Sequence, residues 1–263
     1  MKLFVKELWD LRWRGIVLFV FTLLTGYFVL ANHEWFMSMV DISQIEQGLK
    51  QAPFLNKILD METLNRQLLE ILNNIDFYVW SQWFGKNLYQ LILLAIIILA
   101  FPLFARETEQ KTHYFLLSHR TRKNIFLNKI MAGFFSIFLI IAAGSILPAM
   151  LAPFHGFDFG LLKAFMYALH LTISSLLLFS VVVFFSITFD DVIKPVIASV
   201  IVFITLGLAG NMFGMYYLDI YRYMTGVDIF FTDSIQAIAL LLILLIALLV
   251  LFGSWHIFKN KDF

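Results

Sequence analysis

Asn87-Leu88-Tyr89-Gln90-Leu91-Ile92-Leu93-Leu94-Ala95-Ile96-Ile97-Ile98-Leu99-Ala100-Phe101-Pro102-Leu103-Phe104-Ala105 runs for 19 residues without an Asp, Glu, Lys or Arg. A helix needs roughly 20 mostly apolar residues to cross the hydrocarbon core of a bilayer. The run does not alternate apolar and polar residues, as a strand of a closed barrel would. Five further stretches of the same kind follow the same reading: Gly15 to His33, Ile130 to Phe157, Ala164 to Phe189, Pro195 to Leu218 and Ser234 to Phe258. Together they predict an all-α integral membrane protein of six transmembrane helices forming one domain over residues 1–263. The first stretch closes Val29-Leu30-Ala31 without an A-x-A-like cleavage site, so it reads as a retained span and not as a signal peptide.

Composition agrees. Of the 263 residues, 61% are hydrophobic and 14% charged, where a soluble domain is about a quarter charged. The formal net charge of +1 gives no basis for nucleic-acid binding. There is no cysteine, which excludes disulfides, thiolate metal sites and cysteine nucleophiles.

Lys and Arg set the orientation. The N-terminus, the second and fourth connections and the C-terminus carry 13 of the 19 basic residues, while the other side holds 11 of the 18 acidic ones. Both termini are therefore expected in the cytoplasm, with the chain in the plasma membrane. Residues 1–14 read as an interfacial amphipathic helix: Phe4, Val5, Leu8, Trp9 and Leu11 share one face, and Lys2, Lys6, Asp10 and Arg14 lie largely on the other. The first outside connection, residues 34–86, reads as a helical extracellular insertion. Ser43 and Glu46 have capping-box spacing, Pro53 suits a first helical turn, and Phe54, Ile58, Met61, Leu64, Leu68, Leu72 and Ile75 recur at helical period. Phe77 to Phe84 is aromatic-rich and reads as a headgroup-level belt. Pro148 predicts a kink or an early end in the third span. Gly210 and Gly214 form a small-xxx-small pair in the fifth.

Enzymatic constellations are missing from the sequence. No phosphate-binding G-x-x-x-x-G-K-[ST] loop and no H-E-x-x-H pair occur, and the six histidines are scattered. His170 is the clearest intramembrane ionisable residue, with Ser174 one turn on and Asn211 in the next span; these three are the candidate substrate-pathway residues. The richest polar segment is residues 106–129, in which charges flank an apolar centre, Tyr114-Phe115-Leu116-Leu117. That pattern suits a short amphipathic helix docking on a cytoplasmic partner.

This segment resembles the cytoplasmic loop of permease subunits of ABC-2-type ATP-binding-cassette exporters. Glu107 and Glu109 match the family's acidic start, Thr112 the Thr of its Gly-Thr, Leu116-Leu117-Ser118 its Leu-Leu-Ser element, and Thr121-Arg122 and Lys129 its close. Lys111 stands where the family has Gly, and the family's Pro is missing around His119-Arg120. The resemblance implies a chain that pairs with a second permease, identical or homologous, and with two cytoplasmic ATPase subunits. Glu107, Glu109, Thr112, Leu116, Leu117, Ser118 and Arg122 would contact or orient the ATPase. This chain would be no enzyme and hold no cofactor, with ATP and Mg on the partner ATPase. Amphipathic peptides, hydrophobic drugs or lipids would be its substrates. The alternative from the residues alone is a membrane receptor or immunity protein. It would capture an extracellular cationic peptide with the 34–86 insertion, which carries seven acidic against four basic residues.

Overall fold

A computed structural model describes residues 2–38, 74–212 and 219–261. α1 (Lys2–Ala31) is followed by the short α2 (His33–Ser38). α3 (Ile75–Tyr78), a π-helical stretch Val79–Leu88 and α4 (Tyr89–Ala100) form one rod. It runs through a 3-10 turn at Phe101–Leu103 into α5 (Ala105–Glu109). Then come α6 (His113–His119), α7 (Arg122–His155), α8 (Leu161–Thr188) and α9 (Ile193–Met212). Two short helices, α10 (Ile220–Thr225) and α11 (Val227–Thr232), precede α12 (Ala237–Asn260).

All elements among the described residues are helical, and five are long and apolar enough to cross a membrane: α1, the α3–α5 rod, α7, α8 and α12. The chain is a multi-pass helical membrane protein. The stretch expected as a fifth span begins as α9, whose apolar part is described over Ile193–Leu208. Most of the expected extracellular insertion, with Ser43, Glu46 and the helix after Pro53, lies outside the described residues. So does Gly214 of the small-residue pair.

α1 packs along α7, and α8 forms the hub against α12, α7, α4 and α10. Small residues permit close approach in a lipid solvent, where apolar burial alone does not drive helices together. A Cβ on Gly26 would come within 2.7 Å of Trp83, and one on Gly144 within 2.5 Å of Leu88. α1, the π stretch and α7 therefore converge at backbone distance. Trp83 is fully buried there, and its indole N–H donates to the carbonyl of Gly144 at 2.8 Å. That carbonyl would ordinarily accept from the N–H of residue 148, which is proline and has none. The indole thus satisfies the acceptor that Pro148 orphans.

Three expectations are corrected by this packing. Residues 1–14 are not a separate surface helix: α1 runs unbroken from Lys2 to Ala31. The only weak helix former at the junction is Gly15, and α1 is held along α7 by packing and by an ion pair described below. The aromatic stretch does not face outward along its length as an anchoring belt would, since Tyr78, Trp83 and Phe84 are buried. Phe84 stacks on Tyr167 at 3.9 Å between ring centroids, and Trp80 on Phe230 at 4.7 Å. Of the kink or early end expected at Pro148, the early end does not occur: α7 continues through Pro153 to a left-handed cap at Gly156. The donor from Trp83 explains why the break at Pro148 is tolerated.

Two tyrosine hydroxyls also donate to helix carbonyls, one near the end of α1 and one within α9. The Tyr78 hydroxyl donates to the carbonyl of Val29, two residues before the end of α1, at 2.8 Å. The Tyr221 hydroxyl, its pKa pushed up to about 12 mainly by burial, donates to the carbonyl of Phe203 at 2.7 Å.

Candidate functional site

The two ends of the bundle differ in charge. The basic end carries both described termini and the α5–α6 hairpin, and the hairpin is built from local rules. α5 ends in a Schellman motif: Thr112 N–H donates to the Glu107 carbonyl at 3.0 Å and Lys111 N–H to the Thr108 carbonyl at 3.2 Å. Lys111 has φ 56°, the left-handed conformation that favours glycine. The start of α5 is held from a distance. Ser186 of α8 accepts from the N–H groups of Phe104 and Ala105 and donates to the Phe101 carbonyl. Thr121 caps the start of α7.

Beneath the hairpin lies a buried charge cluster. The Lys129 ammonium sits 2.7 Å from Glu107 and 3.0 Å from Glu7, with only 2% of its side chain exposed. One lysine of α7 thereby joins the first turns of α1 to the turn after the α4 rod. Two carboxylates around one ammonium are tolerable only because each is hydrogen-bonded to it. Arg122 makes a second long-range clamp. One of its terminal nitrogens donates to the carbonyls of Phe258, Lys259 and Lys261, at 3.0, 2.9 and 2.7 Å, and so caps α12. Lys261 reaches the Ile187 carbonyl at the end of α8 and Asp190.

The seven residues expected at the ATPase contact therefore divide. Glu107 and Arg122 are engaged within the chain. Leu116 and Leu117 are half-buried against the core and line a small gap with Phe104, Ile125, Ile187 and Phe258. Glu109, Thr112 and Ser118 are exposed, as is Tyr114 beside them. The hairpin has an inner apolar side that fixes it to the bundle and an outer polar side with one aromatic ring.

The acidic end holds the candidate pathway residues. His170 and Ser174 are buried on one face of α8, with Tyr167 and Ser175. Among the described residues, the buried hydroxyls of Ser174, Ser175 and Tyr167 have no hydrogen-bond partner, and His170 lies near Asp228 and the backbone of Tyr223. Asn211 is in α9, and its side chain lies outside the described residues. His170 and Ser174 do not line the cavity of about 620 Å³ found nearby; Leu177, Tyr223, Ile243 and the Arg222–Asp228 ion pair do. That cavity has mostly aliphatic walls, with Gln236 and one charge pair among its lining residues. It suits an amphipathic molecule better than a small ion.

Sequence reasoning missed Glu7 and Asp228. Lys129 was visible as the last charge before a long apolar run, but its carboxylate partners lie 22 and 122 residues away. No known protein family, curated protein or solved structure matches the chain.

Proposed function

We propose that the chain is the permease subunit of an ATP-driven ABC-2-type exporter, with the α5–α6 hairpin as the coupling element for a separate ATPase. The observation that carries this reading is the conformation of Lys111. It stands where the family has glycine, and its φ of 56° is the conformation glycine serves there. The hairpin's outer residues, Glu109, Thr112, Tyr114 and Ser118, form the docking side. Its inner residues, Glu107, Leu116 and Leu117, carry displacement to α7 and α8. In this reading the chain crosses the plasma membrane six times with both termini in the cytoplasm, and the hairpin is on the side where ATP is available. ATP and Mg bind on the ATPase, and a second permease completes the pathway. The aliphatic cavity beside α12 fits an amphipathic peptide, a hydrophobic drug or a lipid as cargo. ATP binding biases the bundle between two packings of the helices.

The test is purification of the chain in mild detergent from its native host, with partners identified by mass spectrometry. An ATP-binding-cassette ATPase should co-purify, and Tyr114→Asp should release it without changing the melting temperature. Consistent absence of such an ATPase, or its retention by the variant with unchanged stimulated hydrolysis, overturns the assignment.

A further inference from the structure

The basic end holds more positive charge than its own ion pairs use. A cavity of about 580 Å³ opens between the first half of α1 and α5, lined by five basic and three acidic side chains. The acidic groups are already engaged: Glu7 and Glu107 hold Lys129, and Asp10 holds Lys6 at 3.2 Å. Arg12, Arg14 and Arg106 also line the cavity, and among the described residues none of them forms an ion pair or a hydrogen bond. Arg14 and Arg106 are close enough to repel each other. The Arg12 guanidinium lies over the Trp9 ring at 3.6 Å and that of Arg14 is 5.7 Å from the Phe101 ring, contacts that leave the N–H donors of the three arginines to call for an anion.

A second cleft of about 300 Å³ adjoins it between α1 and α7. The two share Leu11 and Arg12, but the second is walled by Gly15, Ile16, Phe19, Leu139 and Ile140. Phe19 lies five residues beyond Arg14, about 7.5 Å further along the helix axis. Trp9 and Trp13 are exposed beside the arginines, where aromatic rings mark headgroup level. Gly15 borders the second cleft, and a Cβ there would meet nothing within 4 Å, so this wall of the apolar branch has open space.

We propose that this composite cleft binds an anionic glycerophospholipid, with its phosphate among Arg12, Arg14 and Arg106 and one acyl chain between α1 and α7. A free phosphate would leave the apolar branch unexplained, and a zwitterionic lipid would leave the excess charge unbalanced. Anionic lipids are abundant in the cytoplasmic leaflet, and basic pockets among membrane helices attract their headgroups. The site is independent of the transport reading and stands or falls without an ATPase.

The experiment is native mass spectrometry of the purified full-length chain, titrated with phosphatidylglycerol and, separately, with phosphatidylcholine. Wild type should prefer phosphatidylglycerol. Each of Arg12→Gln, Arg14→Gln and Arg106→Gln should weaken that lipid about fivefold. Gly15→Leu, which keeps every charge and fills open space in the apolar cleft, should lower the affinity for phosphatidylglycerol by displacing the acyl chain. Equal binding of the two lipids by wild type overturns the proposal. So does an unchanged preference in the triple arginine variant, unchanged affinity in Gly15→Leu, or full displacement of the lipid by inorganic phosphate. The last result would mark a simple anion site.

Discussion

Lys129 and Arg222 are the buried-side cations of the two ends of the molecule, and they are held in opposite ways. Lys129 binds Glu7 and Glu107, drawn from separate parts of the chain, and is almost fully enclosed. Arg222 pairs with Asp228, six residues on, within the α10–α11 turn. The basic end is thus joined by one deeply buried non-local cluster, whereas the acidic end combines this local pair with aromatic stacking and a more exposed non-local bridge, from Lys163 to Asp76 at 3.0 Å and to Asp233 at 3.6 Å. The lesson is that the end expected to move against a partner is the one whose charged cross-link is shielded from solvent. Motion applied at α5 reaches α1 and α7 together, whereas α10 and α11 are tied to the π stretch by the Trp80 indole N–H, which donates to the Thr225 carbonyl at 3.0 Å.

The largest effect should break this contrast directly. Lys129→Met leaves two largely buried carboxylates without their cation and should cost about 3–5 kcal/mol. Thermal unfolding in detergent, followed by near-UV circular dichroism, measures it. The triple change Glu7→Leu, Glu107→Leu, Lys129→Met should recover most of the loss, because an apolar triad of similar size needs no desolvation. By the same measurement Asp228→Asn should cost less than Lys129→Met, and an equal cost would remove the distinction between the two ends.

Next in size is the indole at Gly144. Trp83→Phe keeps most of the ring's apolar surface but strands the carbonyl, at a cost of about 1–3 kcal/mol. In the background of Pro148→Ala the same change should cost less, since the new backbone N–H takes over the acceptor. Additive losses in that double-mutant cycle would disprove the account of how α7 tolerates its proline.

A smaller change sharpens the hairpin. Lys111→Gly removes the left-handed penalty, of about 1–2 kcal/mol, and should stabilise the chain slightly after glycine's extra flexibility offsets part of it. A lower melting temperature would show that the Schellman turn is not the relaxed structure.

The smallest effect lies at the exposed Asp191–Lys194 pair. The hydrogen bond from Lys194 holds the Asp191 carboxyl below its ordinary value of 3.8. A depressed carboxylate stabilises the fold above that value and loses the contribution as pH falls through the folded-state value. Lys194→Gln should therefore leave the melting temperature unchanged at neutral pH within error, because exposed pairs contribute little. Any difference should shrink further in acid.

How far the sequence could be read follows from the solvent. The charge-free runs located α1, α4, α7, α8, α9 and α12, because a membrane helix must keep charge out along its length. They did not say which face turns inward. In α12, Leu240, Ile243 and Ala247 are buried while Leu241, Leu242 and Leu245 are exposed, yet all six are apolar. Lipid and protein interior are equally hospitable to such side chains, so the pattern that distinguishes them in a soluble protein is erased. The same degeneracy explains Trp83 and Phe84, whose composition fits a belt or a core equally well. The hairpin was legible in part. Its polar and apolar residues were visible, but the inward turn of Leu116 and Leu117 depends on Phe104, Ile125 and Phe258, which are scattered along the chain. The ion cluster was not legible, because nothing local links Glu7 to Lys129.

The hydrogen bond from Trp83 to Gly144 also bears on biosynthesis. A ribosome delivers residue 83 to the membrane before residue 144, so the donor is already in place when the helix with the proline enters. The bilayer has no water to occupy the stranded carbonyl in the meantime. Reversing that order, by circular permutation that synthesises α7 first, would leave the proline-bearing helix waiting for its indole. The order of elements along this chain is then part of what lets its third long helix settle in lipid.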